Sequence, residues 1–217
     1  MKALYIVLAS SMLTFLATPA LAWDNDDIDA AWRANDLDSL RALAQGEGFS
    51  ALYSHYRIAL IAQEQGDKKL AKKSLDIITD QLEDNYQNAD EAALYYNSVG
   101  LTIALKPWTA AFAIKKATQA LEYSEALTPN HAPTLVANAV GLLNRPAFAG
   151  GDKDQALIYF EQALARYQQQ EAWGYEDALL WRIKALDATD KTELAVEQLK
   201  LLQQKYPNFV AAQELTL

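Results

Sequence analysis

The feature that most constrains this chain is a short pattern that returns four times. A small residue is followed four positions later by a larger apolar one, and about three further on by another residue of the same face. It reads Ala71, Leu75 and Ile78 after Gly66-Asp67; Ala117 and Leu121; Ala156, Phe160 and Ala163 after Gly151-Asp152; and Ala195, Leu199 and Leu202. Steps of three and four return to one face of an α-helix. Each run therefore reads as an amphipathic helix whose alanine admits a neighbour and whose large residue fills the space beside it. Helices are also what 8 Gly and 6 Pro in 217 residues favour, and 51% hydrophobic residues supply a sizeable core.

Upstream of two of these runs lie Tyr96-x-x-Val99-Gly100-x-x-Ile103 and Ala137-x-x-Val140-Gly141. Together the segments resemble the tetratricopeptide repeat (TPR) over roughly residues 50–217, the run from Gly151 to Leu164 matching the second helix of such a repeat. The resemblance implies an all-α chain, an α-solenoid of about four helix pairs that stack because no pair buries its apolar stripe alone. The expected pairs are 50–64 with 68–84, 91–105 with 109–127, 133–144 with 152–169, and 174–187 with 191–205. Residues 23–49 are expected to form an N-terminal helical cap from short helices near 26–34 and 37–45. A C-terminal capping helix is expected over 208–217, with Phe209, Val210 and Leu215 inward.

The key alanines lie 46, 39 and 39 residues apart, against the usual repeat of about 34. The excess falls between the two helices of the second and third units, at Lys106-Pro107-Trp108 and at 145–151, which begins Arg145-Pro146-Ala147-Phe148. Each elbow is a basic residue, a proline and then an aromatic. Trp108 and Phe148 either fold back on the helix ends or form a rim that anchors a partner. Gly150-Gly151 reads as a tight turn rather than a phosphate loop.

Residues 1–22 read as a secretory signal peptide: Lys2, an apolar stretch, then Thr18-Pro19-Ala20-Leu21-Ala22. Cleavage between Ala22 and Trp23 would deliver a periplasmic or secreted protein without stable membrane insertion. The 28 acidic residues against 19 basic ones, net −9, argue against a nucleic-acid partner. With no cysteine and only His55 and His131, disulfides and thiol chemistry are excluded and little is left for a metal or acid–base site. His55 reads as a packing or groove histidine, His131 as a helix-start residue. No catalytic constellation, metal set or cofactor site stands out.

In the repeat family the first helices line a concave groove. The echo Asn97-Ser98-Val99-Gly100-Leu101 and Asn138-Ala139-Val140-Gly141-Leu142 then makes Asn97 and Asn138 a two-rung ladder, with Leu101 and Leu142 one turn further along. An amide can pair with an extended peptide backbone without reading its side chains, or else bond within the repeat. Gly100 and Gly141 are expected at tight helix contacts. Tyr53 and Tyr56 fall on the same face of the first repeat, and Asp177, Leu180 and Lys184 on that of the last. The resemblance thus implies a non-enzymatic periplasmic scaffold or adaptor that takes an extended peptide or partner protein of the cell envelope in its groove. An accessory role in solute uptake of the TRAP type is the alternative, weakly suggested by Gly150-Gly151, and a hydrolase on a helical solenoid the third.

Overall fold

The computed structural model describes residues 26–217, and the signal-peptide expectation at 1–22 lies outside them. The described chain is all helical. It runs α1 (Asp26–Arg33), α2 (Leu37–Leu43), α3 (Gly48–Glu64), α4 (Lys68–Leu82), α5 (Ala89–Leu105), α6 (Ala110–Leu127), α7 (Ala132–Asn144), α8 (Lys153–Tyr167), α9 (Tyr175–Ala188), α10 (Thr192–Lys205) and α11 (Val210–Gln213). Consecutive helices pack as α3 with α4, α5 with α6, α7 with α8 and α9 with α10, an all-α solenoid of four pairs. Helices α1 and α2 precede the first pair, and α11 follows the last.

The starts of several helices are written in their capping residues. Asp67, Asn88 and Asp152 each accept a backbone N–H three residues on, at 2.9 Å, satisfying donors the first turn leaves free. The four key alanines face inward from the second helices: Ala71, Ala117, Ala156 and Ala195 are all buried. Phe160 and Ala163 are fully buried beside Ala156. Both long elbows form short 3-10 turns, Pro107–Thr109 and Ala147–Ala149.

The first and last pairs meet. Tyr53 of α3 packs on Trp173, just before α9, with ring centroids 5.3 Å apart. One turn on, Arg57 pairs with Asp177 across 120 residues of sequence. Two turns further, Lys184 of α9 is close enough to Glu64 of α3 to influence its ionisation. The same sequence offset in all three shows α3 and α9 facing each other through their side chains, parallel and in register. Outside them, Trp32 of α1 meets Phe209 edge-on at 4.8 Å, and the Arg33 guanidinium lies 5.2 Å from the Tyr206 ring. The concave face expected to be open is therefore closed on itself. The first helices α3, α5, α7 and α9 surround a shared interior, with their partners outside.

Candidate binding site

The interior is built in levels along the four parallel first helices. At their N-terminal ends, Trp173 Nε1 donates to Asp90 Oδ1 at 2.7 Å. His131 Nε2 lies 3.1 Å from the same oxygen, and His131 Nδ1 is 2.8 Å from Thr134 Oγ1. Thr134 in turn bonds Ser124, whose hydroxyl donates to the Ala89 carbonyl at 2.9 Å. His131 does precede the first turn of α7, as a helix-start residue should, and it also ties α7 to α5.

One turn up sits Arg57, with no exposed side-chain surface. Its Nη2 is 2.7 Å from Asp29 Oδ1, and its Nη1 is 2.7 and 2.9 Å from the two carboxylate oxygens of Asp177. Arg57 also donates to the Tyr53 hydroxyl, which donates to Asp29 at 2.7 Å. The rings of Trp32 and Tyr53 lie 3.7 and 4.7 Å from the guanidinium centre. Burial opposes the charge on Arg57, but Asp177, Tyr53 and Asp29 outweigh it and hold the arginine protonated. Burial pushes the Asp177 carboxyl up to about 6, against the pull of Arg57. Beside this set Glu176 pairs with Arg33, and burial followed by the nearby Asp29 raises its carboxyl as well. Such a cluster is a seal: two cations and three carboxylates, wedged between α1, α3 and α9, fill the end of the interior.

Above the seal the lining changes. Steps of seven and eleven residues return within about 20° of the same helix face, some 10 and 16 Å higher. From Asp90 these steps reach Asn97 and Leu101; from His131, Asn138 and Leu142; from Arg57 and Asp177 the seven-residue step reaches Glu64 and Lys184. Asn97, Leu101, Asn138, Leu142, Trp181 and Lys184 are all half-buried. The lining thus passes from buried at the N-terminal ends of the first helices to half-buried toward their C-terminal ends, which helix geometry reads as a shallow cup with its mouth at the C-terminal side. Among the described residues, neither the Asn97 nor the Asn138 amide is hydrogen-bonded, whereas Asn144 donates to the Val140 carbonyl at 2.8 Å. At the mouth, desolvation lowers the Lys184 ammonium and raises the Glu64 carboxyl, each opposed by the other's charge. The Lys184 ammonium rests 4.2 Å from the Trp181 ring centre.

Other sequence-derived residues fall elsewhere. Tyr53 and Tyr56 are not open groove surface: they are 0% and 8% exposed, stacked beside Arg57 and Trp173, because α9 covers their face. Gly141 is a close contact as expected, since a Cβ there would overlap the Tyr96 hydroxyl; Gly100 is not, being exposed with open space beside it. His55 is half-buried with its Nδ1 unpartnered, in a cleft between α2, α3 and α4, and desolvation followed by Lys73 lowers its pKa. Trp108 and Phe148 project from their elbows at 73% and 94% exposure rather than folding back. Gly150 supplies a left-handed φ of +86°, and a Cβ on Gly151 would overlap the Arg145 carbonyl, so the second elbow requires both glycines. Sequence reasoning missed Phe112, 86% exposed one turn after Trp108, and the whole ionic seal. A signal for the seal existed: Arg57 is the only permanently charged residue between Glu47 and Glu64, in a helix otherwise apolar on most sides.

A tetratricopeptide repeat family model matches residues 177–208, which is α9 with α10. No curated protein matches the chain significantly. Among solved structures, the HusA haemophore from Porphyromonas gingivalis is similar in fold. It superposes with a TM-score of 0.55 at 18% identity, over 76% of this chain and 92% of that one. With the repeat match, the four stacked pairs and the inward alanines together, this is a TPR-like helical-repeat protein.

Proposed function

We propose that the protein is a non-enzymatic scaffold or adaptor of the periplasm that holds a segment of a partner protein in the cup. The observation that carries this reading is the pair of half-buried amides, Asn97 and Asn138, at equivalent places in two repeats with no hydrogen bond among the described residues. Both amides are accessible from the interior, and no bond within the described fold has to break before they can pair with a ligand. Two amides spaced along one wall suit a peptide backbone, since each offers a donor and an acceptor. Leu101 and Leu142 supply apolar contact beside them, and Lys184 and Glu64 give the mouth one charge of each sign. The segment enters from the open end, because the ionic seal bars passage through the array.

The test begins with cross-linking in envelope fractions to identify the partner, followed by titration of Asn97→Ala with Asn138→Ala. Each lost hydrogen bond is worth about 0.5–1.5 kcal/mol, so the double variant weakens binding roughly tenfold or more. Thermal stability holds or rises slightly, since Ala is the better helix former. Unchanged affinity would refute the ladder. Mass spectrometry of exported protein beginning at Trp23 tests the location.

Likeness in fold to a haemophore favours a second reading, a carrier of a small apolar ligand in the same cup. Titration with haemin followed by absorbance separates the two, since a peptide site leaves the haemin spectrum unmoved.

A further inference from the structure

The two long elbows, and the first turn of α6 after one of them, carry aromatic rings that nothing among the described residues covers. Trp108, Phe112 and Phe148 are 73%, 86% and 94% exposed, and their exposed neighbours are Ala104, Pro107 and Ala111 on one elbow, Pro146, Ala147 and Ala149 on the other. Both elbows join the first helix of a pair to its second. They therefore emerge at the same end of the array, on adjacent repeats, about 10 Å apart if stacked helices keep their usual spacing. The corresponding turns of the first and last repeats, 65–67 and 189–191, are short and polar. Of the four turns that join a first helix to its second, the two inserted ones carry the large exposed rings.

Charge is distributed to match. The chain is acidic overall, yet between residues 92 and 151 its only acids are Glu122 and Glu125. These lie on α6 ten or more residues beyond Phe112, about 15 Å down the helix. The cations of that stretch are Lys106, Lys115, Lys116 and Arg145. Lys116 is engaged by Glu83 and Asp84, while Lys106 and Lys115 make no ion pair among the described residues. At the second elbow Asp152 is committed to capping α8, and exposed Lys153 and Asp154 follow it. The tips are apolar and aromatic, framed mainly by cations, on a molecule of the opposite sign.

We infer that these elbows dock the protein on the surface of an anionic phospholipid bilayer, with the three rings at the boundary of headgroups and acyl chains and Lys106 and Lys115 among the phosphates. Large exposed apolar patches mark interaction sites. Two exposed tips leaving the same end of the array on separate loops suit a soft planar surface, where a protein pocket would need to receive both at once. Trp and other aromatics favour the membrane interface, and neighbouring cations are drawn to anionic lipid. The acidic remainder of the molecule is repelled by the same surface, which fixes the orientation. The docking is peripheral: no described helix is long and apolar enough to cross a membrane. The elbows leave the C-terminal ends of α5 and α7 and so stand beside the mouth of the cup, but the inference rests on the exposed rings and lysines and not on what the cup binds.

The test is flotation of the purified protein with phosphatidylcholine vesicles, with and without phosphatidylglycerol. Wild-type protein floats with the anionic vesicles, and brominated acyl chains quench part of its tryptophan emission. Trp108→Ser, Phe112→Ser and Phe148→Ser together lower vesicle affinity by about tenfold or more, as loss of buried apolar area at an interface requires, while the melting temperature stays unchanged. Lys106→Gln with Lys115→Gln weakens binding and flattens its salt dependence. Wild-type protein that fails to float at low salt would overturn the inference, and so would a triple serine variant that floats as well as wild type. A triple variant that instead converts a dimer to a monomer would assign the tips to a second copy of the chain, and overturn it too.

Discussion

Arg57 and Asp177, 120 residues apart, are joined at 2.7 Å with no side-chain surface left on the arginine. The pair fastens the first repeat to the last. Arg57→Met leaves Asp29 and Asp177 buried without their cation, and breaking a buried pair from one side costs about 3–5 kcal/mol. Urea unfolding should show that loss. Arg57→Met combined with Asp29→Asn and Asp177→Leu should recover much of it, because no buried charge is then stranded at that position.

The raised Asp177 carboxyl has a consequence for pH. Its folded pKa of about 6 stands above the ordinary aspartate value of 3.8, so between those limits the folded state binds more protons than the unfolded one. Its contribution to stability is therefore full below about pH 4, declines as pH rises toward 6, and is flat above. Between a free carboxyl and one pushed up to about 6, the change in stability across that window is roughly 2–3 kcal/mol. Asp177→Asn should remove this decline from chemical unfolding curves measured between pH 4 and 7.

Ala156 and Ala163 sit with no exposed surface where α8 meets its neighbours. Ala156→Leu and Ala163→Leu should each destabilise by about 1–3 kcal/mol through overpacking. Two unchanged melting temperatures would contradict the repeat register.

Two glycines of similar appearance should behave oppositely. Gly100 lies in the interior of α5 with nothing near its absent Cβ, so Gly100→Ala should stabilise by about 0.4–1 kcal/mol. Gly151→Ala would drive a Cβ into the Arg145 carbonyl, a backbone atom that cannot swing aside. The second elbow must shift, at a cost of about 1–3 kcal/mol. Thermal melts of the two variants should move in opposite directions.

The helix pairs were legible because their causes are local. Ala156, Phe160 and Ala163 announce a packing face within eight residues, and α6 ends at Leu127 and α10 at Lys205, where their patterns end. Closure was not legible. It follows from small rotations accumulated over four repeats, which no single segment encodes, so Tyr53 and Tyr56 read as groove residues although α9 seals them. The stripe from Asp90 to Leu101 follows from helical geometry alone, but only the packing of Trp173 on Asp90 reveals which end of that stripe is plugged. Phe112 escaped notice because, four residues after Trp108, it looks like an ordinary inward helix position.

The contact between Trp32 and Phe209 bears on how the molecule comes apart. An open array of repeats interacts only between neighbours and can lose its outermost unit while the rest stands. Here the two ends of the array shield each other, so neither can fray without uncovering its opposite. The cost of joining segments far apart in the chain is met during folding, and what it secures is a repeat protein that unfolds as one cooperative body instead of peeling from its tips.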